Sequence, residues 1–295
     1  MKRKFSQAQL IKFRKILNNS SEKPTIKKVS FLISKNMTNY GENTQLSYNK
    51  YLKVQQLIEL QENLALLEKH DELLFIIIHQ TFELWFKQIL HELDATILYI
   101  RDRRIMRAVR NIGRVCEIEK ILVNQFKILE TMTPYDFLLF REELKPASGF
   151  QSTQFREIEF LSGLKDEKLM RFFDEEFAIE RLNERFGAET LHDAYFNFLR
   201  ERGFAVETYE TRVETVVKII RDIEQYSEEF ALQEALIEHD ELVAHWRFHH
   251  IKMVERTVGG KMGTGGSEGV GYLQTTLSKR FYPEFWEART RLEIE

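Results

Sequence analysis

Between residues 70 and 94 the chain reads HDELLFIIIHQTFELWFKQILHELD, with apolar residues recurring every three or four positions. Phe75, Phe82 and Phe86 form one such series, and Leu74, Ile78, Trp85 and Ile89 another, which predicts a helix. So little of its circumference is polar that it should be buried on nearly all sides. One polar ring, His79, stands among the three phenylalanines, and a buried imidazole needs partners for its two nitrogens.

The same spacing extends over most of the chain. From Ser47, a plausible cap, Tyr48, Tyr51, Leu52, Leu57 and Leu60 fall near one another on a helix. The central helix runs on to about residue 102, and another covers about 104–131. Thr133-Pro134 reads as a helix start, with Thr as cap and Pro in the first position. The helix it opens stops before Pro146, residues 146–152 form a turn-rich loop, and Ser152 caps a helix over 153–161. Residues 163–240 are charged and helical in pattern, with Phe172, Phe173, Phe177, Leu182 and Phe186 expected to pack. Gly203 marks a break, and helices are expected over 208–231 and 232–257. After a glycine-rich stretch, residues 272–281 look helical, and Pro283 opens a short closing helix. No stretch reads as a strand or an inter-domain linker. The pattern predicts an all-α fold, with residues 41–295 as one helical domain.

Residues 1–40 differ, with ten Lys or Arg against a single acid, Glu22. A basic arm for an anionic partner and a poorly ordered extension are the two readings, and the second is expected because no aromatic pattern accompanies the charge. Over the whole chain the formal net charge is only −3, which argues against nucleic acid as a partner. A single cysteine, Cys116, excludes an internal disulfide framework and suits a reducing compartment. No apolar run reaches the roughly 20 residues of a membrane span, and the basic N-terminus lacks the apolar stretch of a signal peptide. The expectation is a cytoplasmic protein without a membrane segment.

Three further features carry candidate chemistry. Residues 259–271, GGKMGTGGSEGVG, hold seven of the 13 glycines. No strand precedes them, so a nucleotide loop fails its context, and a flexible loop and a loop closing over a ligand stand side by side. On the preceding helix, His250 shares a face with Val243, Trp246, Met253 and Val254 and should point inward, while His249 shares one with His245 and should point outward. A zinc site from His245 and His249 lacks further ligands. Arg141, among Phe137, Leu138, Phe140 and Leu144, reads either as a snorkelling surface residue or as a two-toothed carboxylate clamp. No Ser-His-Asp order, CxxC pair or carboxylate dyad can be picked out.

Three stretches taken together carry a resemblance: HDELLFIIIHQTFELWFKQILHELD, LETMTPYDFLLFREELKPASGFQSTQFR and HWRFHHIKMVERTVGGKMGTGGSEGVGYL. In order and interval the chain resembles the tryptophan 2,3-dioxygenase family from about residue 47 to 285. The resemblance implies an all-helical haem b protein, active with Fe2+, built as a homotetramer that is a dimer of dimers. It implies cleavage of the indole C2–C3 bond of L-tryptophan by O2 to N-formylkynurenine, the first step of tryptophan degradation by the kynurenine pathway. His250 matches the proximal iron ligand, with Trp246 in the same motif beside the cofactor. His79 matches the distal histidine that hydrogen-bonds the indole N–H. Phe75, Phe137, Phe140 and Leu144 match the indole pocket, Arg141 the carboxylate partner, and Thr264 the residue contacting the amino-acid end. Ser148 and Gly149 match the loop over the distal haem face, and Phe155 and Arg156 lie in the matching QFR segment. Tyr48, Tyr51 and Leu52 match a segment that reaches into a neighbouring subunit's site, although Asn49-Lys50 departs from the family's usual YGxYL. The alternatives are a haem oxygenase inserting one oxygen into another indole, or a non-catalytic haem sensor.

Overall fold

The structure is a computed structural model that describes residues 46–63, 69–261 and 270–294; residues 1–45, including the basic extension, lie outside the described residues. The residues before Gln61 and those from Gln61 onward are two units, each described by itself.

In the first unit, Ser47 caps α1 (Tyr48–Leu52), its side chain accepting from the Lys50 N–H at 3.4 Å. Lys53, in the left-handed region at φ 52°, separates α1 from α2 (Val54–Leu57). Tyr48 and Tyr51 are exposed, as is Leu52.

In the second unit, α3 (Asp71–Arg101) and α4 (Ile105–Leu129) are joined by a tight turn through Arg103 at φ 55°. Asp71 and Glu72 in the first turn of α3 and Arg101 in its last complement the helix dipole. Phe82, Phe86, Ile89, Leu93 and Ile97 are buried, each worth roughly 1.5–3 kcal/mol of apolar transfer. By length and composition α3 could cross a membrane, but these residues pack in the protein's own core. The helix α10 (Ser227–Val258) lies on α4, which is therefore packed between α3 and α10.

Between these come shorter elements. Thr133 caps α5 (Pro134–Arg141), accepting from the Asp136 N–H, with Pro134 at its start. A 3-10 turn, Glu142–Leu144, and a second, Gly149–Gln151, lead to α6 (Thr153–Ser162), which Ser152 caps as expected. Then follow α7 (Glu176–Gly187), α8 (Leu191–Glu201) and α9 (Tyr209–Arg221). Phe160, Phe173, Ala178 and Leu182 form a satellite core, but Phe177, expected to pack, is exposed. The break after α9 falls earlier than expected. The Asp222 carboxylate accepts from the Gln225 N–H at 3.2 Å and closes a turn there, so one helix runs uninterrupted through 231 and 232. Last come α11 (Val270–Thr275) and α12 (Pro283–Thr290). Among the described residues there is no strand, in keeping with an all-α fold.

Two buried polar arrangements lock α10 in place. His239 bonds Glu119 of α4 through Nδ1 at 2.7 Å and Ser162 of α6 through Nε2 at 2.9 Å. Ser162 donates its hydroxyl hydrogen to the Ile158 carbonyl, so it accepts from His239 Nε2–H. Beside it, the Asp240 carboxylate accepts from the N–H groups of Phe281 at 3.0 Å and Tyr282 at 3.4 Å, and from Trp286 Nε1 at 2.8 Å.

Candidate functional site

A cavity of about 530 Å³ lies inside the second unit, in the range of sites that enclose a cofactor or drug-sized ligand. One face of α3 supplies Phe75, His79, Phe82 and Phe86, and α4 supplies Phe126 and Leu129. Phe137 and Leu144 come from α5 and the turn after it, and residues 147–152 form a loop along the wall. Phe155, Arg156 and Glu159 come from α6, and Trp246, Arg247, His250, Met253 and Val254 from α10.

The rings of this wall pack on one another. Trp246 lies 4.6 Å from Phe155, 5.6 Å from Phe126 and 5.1 Å from His250, the last pair nearly parallel at 20°. Phe75 lies 4.0 Å from His79. Phe140 is not in the wall; it is buried behind Phe75 and Phe137, at 5.7 and 5.4 Å. Glu83 holds the loop to α3, accepting from Ser152 Oγ at 2.6 Å and from Gln154 Nε2 at 2.7 Å. Ser148 caps the second 3-10 turn. A Cβ at Gly149 would meet no protein atom within 4 Å, so a side chain there is not excluded by the protein itself.

The two wall histidines differ in their free nitrogens. His79 Nδ1 is 2.7 Å from the Phe75 carbonyl oxygen. A carbonyl can only accept, so Nδ1 carries the hydrogen and Nε2 keeps a lone pair. Burial pushes the His79 pKa below its ordinary 6.5 and keeps the ring neutral. Burial, with a smaller contribution from His79, pushes His250 down to about 4. Its ring takes part in no hydrogen bond among the described residues, so a neutral nitrogen is available to a ligand.

The cavity thus brings together Phe75, His79, Phe137, Leu144, Ser148, Gly149, Trp246 and His250, as well as Phe155 and Arg156. It leaves out Phe140 and also Arg141, which is buried on α5 with Nη1 3.2 Å from Glu142. Thr264 lies outside the described residues, and Tyr48, Tyr51 and Leu52 belong to the first unit. His249 is absent from the wall, and His245 stands exposed, 4.0 Å from Glu241. Among the described residues no cluster of His, Cys, Asp or Glu could hold a bare metal ion. Sequence reasoning passed over Glu83, Glu159 and Arg247. Helical spacing held the signal for two of them: Arg247 is three residues before His250, and Glu159 three after Arg156.

Comparison with known proteins identifies the family. The family profile described as "Tryptophan 2,3-dioxygenase" matches residues 34–197 and 186–292. A tryptophan 2,3-dioxygenase of Nocardioides sp. is 45% identical over 267 residues, covering 88% of this chain and 100% of that protein. That of Herpetosiphon aurantiacus is 42% identical over 257 residues, covering 84% and 98%. That of Caulobacter vibrioides is 39% identical over 261 residues, again covering 84% and 98%. By profile, by identity and by coverage, the chain belongs to the tryptophan 2,3-dioxygenase family.

Proposed function

We propose that the protein is a haem-dependent tryptophan 2,3-dioxygenase, cleaving the indole C2–C3 bond of L-tryptophan and the O–O bond of O2 so that one oxygen ends on each carbon in N-formyl-L-kynurenine. The observation that carries this reading is the pair of neutral imidazoles on one aromatic-walled cavity, each with a nitrogen to offer. His250 would hold a haem iron: its imidazole is neutral, has no hydrogen-bond partner among the described residues and is stacked against Trp246. Ser148 and Gly149 border the same space. When bound, the ferrous haem supplies the activation of O2.

The rest is the work of this chain's own residues. His79 Nε2 accepts the indole N–H; it does not need to remove a proton. The Phe75 carbonyl fixes the tautomer that makes this possible. Phe75, Phe137 and Leu144 pack the indole, with Phe140 holding the first two from behind. This mostly apolar wall excludes water and strengthens the few polar contacts. Arg141 and Thr264 receive the amino-acid end, and Tyr48, Tyr51 and Leu52 complete a neighbouring subunit's site in a homotetramer. One buried cysteine is in keeping with a cytoplasmic location.

Anaerobic reduction with tryptophan, followed by O2, should yield the absorbance of N-formylkynurenine and a mass gain of two oxygen atoms. A gain of one oxygen would make the protein a monooxygenase, and a Soret band without tryptophan-dependent O2 uptake would make it a sensor. Arg141→Ala should raise KM strongly, by the roughly 2–5 kcal/mol lost when one partner of a buried charge pair is removed; an unchanged KM refutes the clamp.

A further inference from the structure

Two arginines of the cavity wall have no part in the reaction as described. Arg156 on α6 and Arg247 on α10 are 7% and 3% exposed. A single carboxylate serves both: Glu159 accepts from Arg156 Nη1 through one oxygen and from Arg247 Nη2 through the other, the latter at 2.7 Å. Arg247 Nη1 donates to the Lys279 carbonyl at 2.8 Å. The Nε–H of each arginine is buried without a partner among the described residues. Two positive charges therefore share one negative charge, and two buried donors lack acceptors. Both are costly in an apolar setting. The third cation of the wall, Lys279, is matched by Asp166 at 3.0 Å, and the wall's other carboxylate, Glu83, accepts from Ser152 and Gln154 rather than from either arginine. The group that answers both needs is anionic, acceptor-only and planar, which describes a carboxylate.

We propose that Arg156 and Arg247, held together by Glu159, form a carboxylate-binding site in the cavity wall, distinct from Arg141. Its occupant rests on the haem reading above. Haem bears two propionate carboxylates on its rim, and the other carboxylate at hand is that of tryptophan. Position favours the haem: Arg247 precedes His250 by one turn of α10, so a ligand held by His250 has the pair close to its point of attachment.

The test compares ligands before it compares variants. Full-length protein is titrated with haem and with haem dimethyl ester, following the Soret band, and with tryptophan and tryptamine by calorimetry. Esterification should weaken binding to the wild type roughly ten- to a hundredfold. That penalty should shrink in Arg156→Gln and in Arg247→Lys, with circular dichroism confirming that both variants fold. If the ester binds as well as haem, while the tryptophan–tryptamine difference collapses in Arg156→Gln, the site stands and its carboxylate is the amino acid's. If the ester binds as well as haem and that difference is unchanged, the site is overturned. If neither porphyrin gives a Soret band with the wild type, the haem reading fails, and the amino-acid titrations alone decide the site.

Discussion

At the scale of single residues, the site depends on which nitrogen of each histidine is free. His79 donates through Nδ1 to a backbone carbonyl of its own helix, so its orientation does not depend on a ligand. Replacing it with alanine should leave the Soret band in place and lower turnover by about tenfold or more, the worth of one lost hydrogen bond to substrate. His250→Ala should instead lose bound haem and with it the Soret band. Spectra of the two variants side by side check the assignment, and the opposite result reverses it. Both rings are held neutral by burial, which fixes the sign of a pH effect. Below its ordinary pKa of 6.5, an unfolded His250 takes up a proton that the folded chain refuses until about pH 4. Its contribution to stability is therefore whole above pH 6.5 and is lost as the pH falls towards 4. In the haem-free protein, urea midpoints at pH 7.5 and 5 should fall further apart in the wild type than in His250→Phe.

At the scale of elements, what was legible in the sequence was what repeats. The 3.6-residue pattern gave α3, α4 and the inward face of His250, and the Thr133-Pro134 start and Ser152 cap fell where side-chain chemistry placed them. The break at Asp222 was not legible, because it uses a side-chain-capped turn without Gly or Pro. The Glu159 bridge between Arg156 and Arg247 was hidden for a different reason: the arginines are 91 residues apart, and local spacing says nothing of contacts at that range. The same holds for Asp240, whose carboxylate gathers three N–H groups from the end of the chain onto α10. Asp240→Ala should cost about 3–5 kcal/mol, since it strands several buried donors at once. The expected readout is a lowered melting temperature together with faster hydrogen exchange in α12. Equal exchange there would show that α12 is held by its apolar contacts alone.

At the scale of the whole molecule, α3 carries a second face that the described residues of its own unit leave exposed. Leu73, Ile77, Leu84 and Leu98 are exposed, and their spacings of 4, 7 and 14 put them on one stripe. An apolar stripe of this kind is suited to association, and if the protein is the homotetramer proposed above, this face would be buried between copies. Light scattering on Ile77→Glu and Leu84→Glu should show a smaller assembly than the wild type; an unchanged mass would place the interface elsewhere. The stacking order α3, α4, α10 also has a consequence for how the protein is made. The helix α4 follows α3 at once, so those two can pair while the chain is still on the ribosome, but α10 is separated from α3 by more than a hundred residues. At typical synthesis rates the nascent hairpin waits roughly six to twenty-six seconds for the helix that covers it. During that interval the sides of Phe82, Phe86 and Phe126 that Trp246 covers in the finished fold are open to water or to a chaperone. Yield in the cell should therefore follow chaperone capacity more closely than the stability of the finished fold, and substitutions that slow the arrival of α10 should lower it without changing the melting temperature.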